Sequence, residues 1–261
     1  MKKIILLICA TVLFISCSKS SDELVTPAPT PTPSGSVLLK KFITNQTGIT
    51  GSITTDITYN GNKLIKSVST DGTSKVFTYT GDLITKTENF EGSVLDTSEI
   101  LIYNTDGKLI ASTGFIYTNP TTATGTKITY TYNTNSTISF TVYTGNLSSQ
   151  TLLQSTGIAT LVNGEITKIE KYTGNSTTNP KVQNFTYDAK NNPLKNITGY
   201  GASSFIEETP SGFTQNVLTL IDVANSNNNE TNTYTYNSNN YPLTQTKVSN
   251  IAGTINTQYF Y

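Results

Sequence analysis

Phe77-Thr-Tyr-Thr-Gly-Asp-Leu-Ile84 decides the fold. In an extended chain Phe77 and Tyr79 fall on one face and Thr78 and Thr80 on the other, the period of two that a half-buried strand needs. Gly81 supplies the positive φ of a tight turn, and Leu83-Ile84 opens a second strand. The phrase is a β-hairpin, and it recurs. Further copies are Ile57-Thr-Tyr-Asn-Gly-Asn-Lys-Leu-Ile65, Ile102-Tyr-Asn-Thr-Asp-Gly-Lys-Leu-Ile110, Phe185-Thr-Tyr-Asp-Ala-Lys-Asn-Asn-Pro-Leu194 and Tyr234-Thr-Tyr-Asn-Ser-Asn-Asn-Tyr-Pro-Leu243. Weaker ones are Tyr130-Thr-Tyr-Asn-Thr-Asn-Ser-Thr-Ile138 and Ala159-Thr-Leu-Val-Asn-Gly-Glu-Ile166, and a diverged copy lies near Leu218–Asp222.

The anchors Tyr59, Tyr79, Tyr103, Tyr132, Tyr187 and Tyr236 are expected just before successive turns. Each ring should pack against the apolar residue opening the next strand, such as Leu64, Leu83, Leu109 or Leu194. One hairpin cannot bury a face alone, so neighbouring copies must continue one sheet. The links between copies, Asp71-Gly72, Glu91-Gly92, Gly145-Asn146 and Gly174-Asn175, are turn-like too. The expected fold is all-β: a long antiparallel meander of repeated hairpins, about 14 to 18 strands, forming a twisted sheet that can roll toward a barrel.

Composition agrees. Of 261 residues, 49 are Thr and 27 Asn, against 9 Ala. Branched side chains fit a pleated sheet and lose rotamer freedom in a helix. Asn favours turns because it tolerates positive φ and bonds its own backbone.

The missing residue types exclude whole classes of chemistry. All 17 positive residues are Lys, and there is no Arg, no His and no Trp. The two cysteines are Cys9 and Cys17. Nucleophilic arrangements built on imidazole are out, as are zinc sites and bidentate phosphate recognition. A net charge of zero argues against a nucleic-acid partner, since phosphate neutralisation supplies most of that affinity. Folding without disulfides follows from the cysteine count.

The first 36 residues read as address and tether. Lys2 and Lys3 precede an apolar run from Ile4 to Ile15, the length of a signal h-region and too short to span a bilayer. The run ends Leu13-Phe-Ile-Ser-Cys17, which resembles the lipobox of a bacterial lipoprotein, with Ser16 at the small position before a Cys that carries the lipid. Cys9 competes, but the branched Ile8 precedes it. Residues 1–16 are then the signal peptide, and 17–36 are lipidated Cys17 followed by a Ser/Pro-rich tether. Pro27, Pro29, Pro31 and Pro33 hold that tether extended. Residues 37–261 form the repeat domain. Ser20-Ser-Asp-Glu23 resembles the acidic export signal of surface lipoproteins in Bacteroidetes-type bacteria.

The hairpin phrase resembles the YD (Rhs-type) repeat, Tyr-Asp-x-x-Gly-x-Leu. Tyr103-Asn-Thr-Asp-Gly-Lys-Leu109 is its closest copy, and Tyr187-Asp188 keeps the dipeptide. The resemblance spans residues 50 to 261 and is closest to short, uncharacterised YD-repeat-like lipoproteins of Bacteroidetes. It implies a twisted antiparallel sheet, rolled toward a barrel, and no activity.

Candidate sites are few. Glu88, Glu91, Asp96, Glu99, Glu165, Glu170, Glu207 and Glu208 could serve a glycosidase only if two converged at about 5 to 10 Å. Their thin spacing, often near Lys, reads as solvated charge. Asp56, Asp71, Asp82 and Asp106 lie near turns, yet no Asp-x-Asp-x-Asp calcium spacing appears, so no metal and no cofactor is expected. A row of Tyr could stack sugars or meet a partner; cross-strand packing is the plainer reading. The chain ends Gln258-Tyr-Phe-Tyr261, as outer-membrane barrels also end on an aromatic strand. Such a barrel needs strands of about 9 to 11 residues and a lipid-facing apolar band. The apparent strands run to about 5 to 8 residues, interrupted by Lys66, Lys86 and Lys168.

The sequence therefore reads as a non-enzymatic, lipid-anchored outer-membrane protein, a binding or structural module exposed at the surface. Its partners are the membrane, through the lipid, and a polysaccharide or protein ligand. A glycan-binding accessory role through exposed Tyr and Asn stands second. A transmembrane barrel and a hydrolase stand last.

Overall fold

In the computed structural model, residues 36–203 and 213–261 are described. The expected signal peptide, Cys9 and Cys17 lie outside them, as does all of the expected tether but Ser36. Sixteen strands follow one another: β1 (Lys41–Gln46), β2 (Ile53–Asn60), β3 (Lys63–Ser69), β4 (Thr73–Thr80), β5 (Leu83–Glu91), β6 (Val94–Tyr103), β7 (Leu109–Asn119) and β8 (Thr122–Tyr132). Then come β9 (Thr137–Asn146), β10 (Gln150–Val162), β11 (Glu165–Thr173), β12 (Lys181–Tyr187), β13 (Val217–Asp222), β14 (Glu230–Tyr236), β15 (Pro242–Ser249) and β16 (Gly253–Phe260). Each strand pairs antiparallel with the next, and β1 pairs with β16 from Lys41↔Phe260 to Gln46↔Ile255. The meander closes into a barrel, so no sheet edge is left unpaired.

The hairpin phrase has a shared irregularity that the sequence does not announce. The register slips by one residue just before the anchor in six hairpins: at Thr58/Tyr59, Thr78/Tyr79, Ile102/Tyr103, Thr160/Leu161, Thr186/Tyr187 and Thr235/Tyr236. On the partner strand this leaves one extra residue, Ile65, Thr85, Ile110, Thr167, Leu218 or Leu243. These are β-bulges, which re-aim side chains and sharpen twist at barrel rims. They explain why two apolar residues can open a strand in succession. In the first and third hairpins one residue, Leu64 or Leu109, pairs with the Tyr and is buried, while the next is the bulge.

The core lies inside the wall. Ile84, Leu101, Leu109, Ile128, Ile138, Phe140, Ala159, Ile166, Phe185 and Leu220 form one buried cluster, all on inward positions. Phe140 lies across Gly157, its cross-strand partner. A Cβ on Gly157 would come within 2.1 Å of the Phe140 ring. Away from the Tyr turns the inner face becomes polar: Thr55 bonds Ser69 at 2.8 Å, and Asn89 donates to Thr97 at 2.7 Å.

The outer face of most strands is threonine with scattered charge. Thr58, Lys66, Thr78 and Lys86 alternate around β2–β5 in register. Lys86 pairs with Glu88 at 2.6 Å, and Lys168 with Glu170 at 2.8 Å. The longer strands β6–β10 are more apolar outside. Ile100 and Ile102 are exposed, and Phe115 is buried beside Tyr117 at a centroid distance of 6.4 Å.

The closed barrel overturns the order of function drawn from sequence, in which a tethered binding or structural module, or a glycan-binding accessory, stood ahead of a membrane barrel. That order rested on strands of about 5 to 8 residues, whereas β6 to β10 have 10, 11, 11, 10 and 13. Lys66, Lys86 and Lys168 do not interrupt their strands, because they occupy outward positions within them.

A second correction concerns Leu194. It does not open a strand. Between β12 and β13 the described residues, 188–203 and 213–216, leave the wall, and 188–203 cross the barrel end that carries the Tyr turns. Within this connection Tyr200–Ser203 makes one helical turn. Thr198 N donates to Asn62 O, Asn191 N to Asn240 O, and Asn196 Nδ2 to Val37 O, so the connection touches turns at distant points of the rim. It plugs that mouth.

Candidate functional site

All six anchor tyrosines occupy the inward position before their turns, half-buried rather than in an exposed row. Tyr79, Tyr103, Tyr132 and Tyr187 pack on the core cluster. Their cross-strand partners are Leu64 for Tyr59, Ile84 for Tyr79, Leu109 for Tyr103 and Ile138 for Tyr132. Ile84 takes the place expected of Leu83, and Tyr187 pairs with Val217 rather than Leu194.

In five of the six the hydroxyl reaches back to the strand before its own or, for Tyr59, to the residues leading into it. Tyr59 donates to Leu39 O at 2.6 Å, Tyr103 to Ile84 O at 2.7 Å and Tyr187 to Ile166 O at 2.6 Å. Tyr79 faces the Leu64 backbone without completing a full hydrogen bond, and Tyr132 faces that of Leu109. The acceptor is repeatedly the residue that opens the previous hairpin's second strand. Tyrosines thus stitch successive hairpins together by their tips as well as by their rings.

Tyr236 breaks the pattern and donates to Asp188 Oδ2. Asp188 also accepts from Asn216 N at 3.1 Å and from Asn216 Nδ2 at 3.0 Å, and Asp188 N donates to Asn216 O at 3.0 Å. The two ends of the plug are therefore clamped side by side, as in an Ω-loop. The acidic member of the Tyr187-Asp188 dipeptide holds this clamp.

Glu165 holds the returning arm of the plug. Its carboxylate is 2 % exposed and accepts from Phe213 N at 2.8 Å, Thr214 N at 2.7 Å, Thr214 Oγ1 at 2.9 Å and Gln215 N at 2.9 Å. A buried carboxyl group that accepts from four donors is satisfied where it stands and has a structural role. Nothing in the residues around Glu165 sets it apart from the other acids. Glu88 and Glu170 do sit in outer-wall ion pairs, as solvated charge should, and Glu207 and Glu208 lie outside the described residues. Among the described residues no three His, Cys, Asp or Glu side chains gather as a metal site.

Above the plug the lumen contains a cavity of about 370 Å³. Its lining is part apolar, with Leu39, Phe42, Leu194 and Leu220, and part polar, with Asn232, Tyr234, Gln245, Thr257 and Tyr259. Lys247 and Glu230 pair at 2.7 Å at the end away from the plug. Tyr234 and Leu194 belong to copies of the hairpin phrase, but nothing in it marks Phe42, Asn232, Gln245, Thr257 or Tyr259, which the register of β14–β16 and the closure on β1 bring together.

No family model and no curated protein matches the chain. The resemblance to YD repeats therefore rests on the residues that suggested it alone. Among solved structures, a porin-like protein from Bacteroides uniformis ATCC 8492 is similar over 85 % of this chain and 97 % of its own, at 15 % identity and a TM-score of 0.41.

Proposed function

We propose that the chain is a β-barrel of the outer-membrane type, spanning the membrane with its wall closed and one mouth sealed, so that it does not serve as an open pore. The observation that carries this reading is the pairing of β1 with β16 at the end of a sixteen-strand, next-neighbour antiparallel meander. An even strand number with that connectivity is what bacterial outer-membrane barrels share. Strands β6–β10 reach the roughly 9 to 11 residues that a tilted span requires. The plug supports the absence of an open channel. An acyl chain on Cys17 would hold the chain's N-terminus at the same membrane; labelling with a radioactive fatty acid tests it, and a Cys17→Ser protein that still takes up label would exclude it.

One observation favours a second reading, in which the same barrel stands in water. Asp56, Lys66, Lys86, Glu88, Lys168 and Glu170 share the outer face with threonines. A lipid-facing Lys costs about 2–4 kcal/mol at the bilayer midplane. Reconstitution separates the two. Under the first reading the purified protein partitions into lipid vesicles, resists carbonate extraction and passes little current across a planar bilayer. A monodisperse protein in detergent-free buffer that leaves vesicles untouched would replace it with the second.

A further inference from the structure

We propose that the luminal cavity between the plug and β14–β16 binds an uncharged small molecule that has an apolar body and a carbonyl oxygen. The inference goes beyond the barrel's placement, since the cavity faces the lumen whatever surrounds the wall. At about 370 Å³ it is large enough for a small organic ligand, pockets of roughly 300 Å³ and above being the usual range.

Charge excludes ionic ligands. The two formal charges lining the cavity, Lys247 and Glu230, neutralise each other at 2.7 Å. An ion entering would find no uncompensated partner.

A directed hydrogen-bond chain selects the ligand's polar group. Tyr234 spends its proton on Val217 O at 3.0 Å, so its oxygen can only accept from Gln245. That fixes Gln245 Nε2 toward Tyr234, leaving Gln245 Oε1 to accept from Tyr259 at 2.5 Å. Gln245 Nε2 then donates to Asn232 Oδ1 at 2.8 Å. The chain runs Tyr259 to Gln245 to Asn232 and ends on the Asn232 amide N–H groups. Asn232 is 8 % exposed and lines the cavity, and its Nδ2 has no partner among the described residues. That donor is open to the cavity rather than sealed from it, and a ligand acceptor oxygen would complete its hydrogen bonding. The same cavity is lined by Leu39, Phe42, Leu194 and Leu220, which suit an apolar body.

Acetophenone is a suitable probe, with ethylbenzene as its counterpart lacking the oxygen and benzoate as its charged one. In NMR titrations of the folded protein, acetophenone should shift the Asn232 side-chain amide protons saturably and bind about fivefold more tightly than ethylbenzene, the worth of one hydrogen bond. Benzoate should not bind. In Asn232→Leu the preference for acetophenone should vanish while ethylbenzene binding persists. Equal affinities for acetophenone and ethylbenzene in the unmodified protein would overturn the proposal, whether or not the variant folds. So would acetophenone shifts that bypass Asn232, or no saturable shift at all.

Discussion

The hydroxyl of Tyr103 donates to the backbone carbonyl of Ile84, 2.7 Å away on the preceding strand, and Ile84 is itself the cross-strand partner of Tyr79. One residue thus receives the ring of one hairpin's anchor and the hydroxyl of the next. The link makes hairpins that are separate in sequence cooperative in space.

Two substitutions at Tyr103 divide its contributions. Tyr103→Phe keeps the ring and loses the bond to Ile84, and should cost about 1 kcal/mol. Tyr103→Ala loses the packing as well. Full burial of an aromatic is worth about 3–5 kcal/mol on truncation, so a half-buried one belongs near the lower end. Lys108→Ala, at the neighbouring turn, should change little. Chemical denaturation of the three variants checks the order; a Tyr103→Ala protein as stable as the unmodified one would remove the stitching account.

Glu165 should matter more than any other acid in the chain. Glu165→Ala removes the acceptor shared by three backbone N–H groups and a hydroxyl at a part-buried position, and each donor that water does not reach costs about 1–3 kcal/mol. The expected result is release of the plug before loss of the barrel. Limited proteolysis should then cut within residues 189–203 of Glu165→Ala while the strands stay protected, and Glu170→Ala should show no such cleavage.

Asp71 gives a test by pH. Its carboxyl, in the exposed turn between β3 and β4, is held below the ordinary Asp value of 3.8 by the Thr73 backbone N–H first and the Thr73 hydroxyl second. A depressed carboxylate contributes stability above its unfolded value and loses it as pH falls through the folded one. The turn should therefore loosen only below about pH 4. In a carbon-detected titration, Thr73→Val should move the Asp71 midpoint part of the way back toward 3.8, because the larger, backbone contribution survives. A full return would reverse the ranking of the two donors.

The wall was legible in the sequence and the plug was not. Phe77-Thr-Tyr-Thr-Gly-Asp-Leu-Ile84 carries both the period of two and the turn glycine, so the hairpin follows from local physics. Closure of β1 on β16 does not, because it depends on the twist accumulated over sixteen strands. Bulges hid the true pairing, since Leu83 and Ile84 look alike and only the slipped register chooses Ile84. At Tyr187-Asp188 the phrase misled: Asn191-Asn-Pro-Leu194 looks like a turn and a strand opening. There the chain leaves the wall, and what holds it, Glu165 and Tyr236, lies 23 and 48 residues away from Asp188. The cavity residues Asn232, Gln245 and Thr257 are ordinary strand polar residues until the register of β14–β16 sets them side by side.

Gly157 tests the packing of the closed wall at a single atom. It sits on β10 opposite Phe140 on β9, both inward, and the Phe140 ring occupies the space that a side chain at Gly157 would need. Its backbone is not in the left-handed region, so alanine would be tolerated there on conformational grounds. Against solvent, Gly157→Ala should even help, because it restricts the unfolded chain. Here the added methyl carbon would stand 2.1 Å from Phe140 Cζ and 2.6 Å from Glu170 O. The ring must leave its rotamer or the strands must part, and overpacking of this kind costs about 1–3 kcal/mol. Gly157→Ala should therefore destabilise, and Phe140→Leu in the same chain should recover part of the loss by vacating the space. Recovery in the double variant, relative to the two single ones, is the measurement; strictly additive losses would show that Phe140 and Gly157 do not share that space.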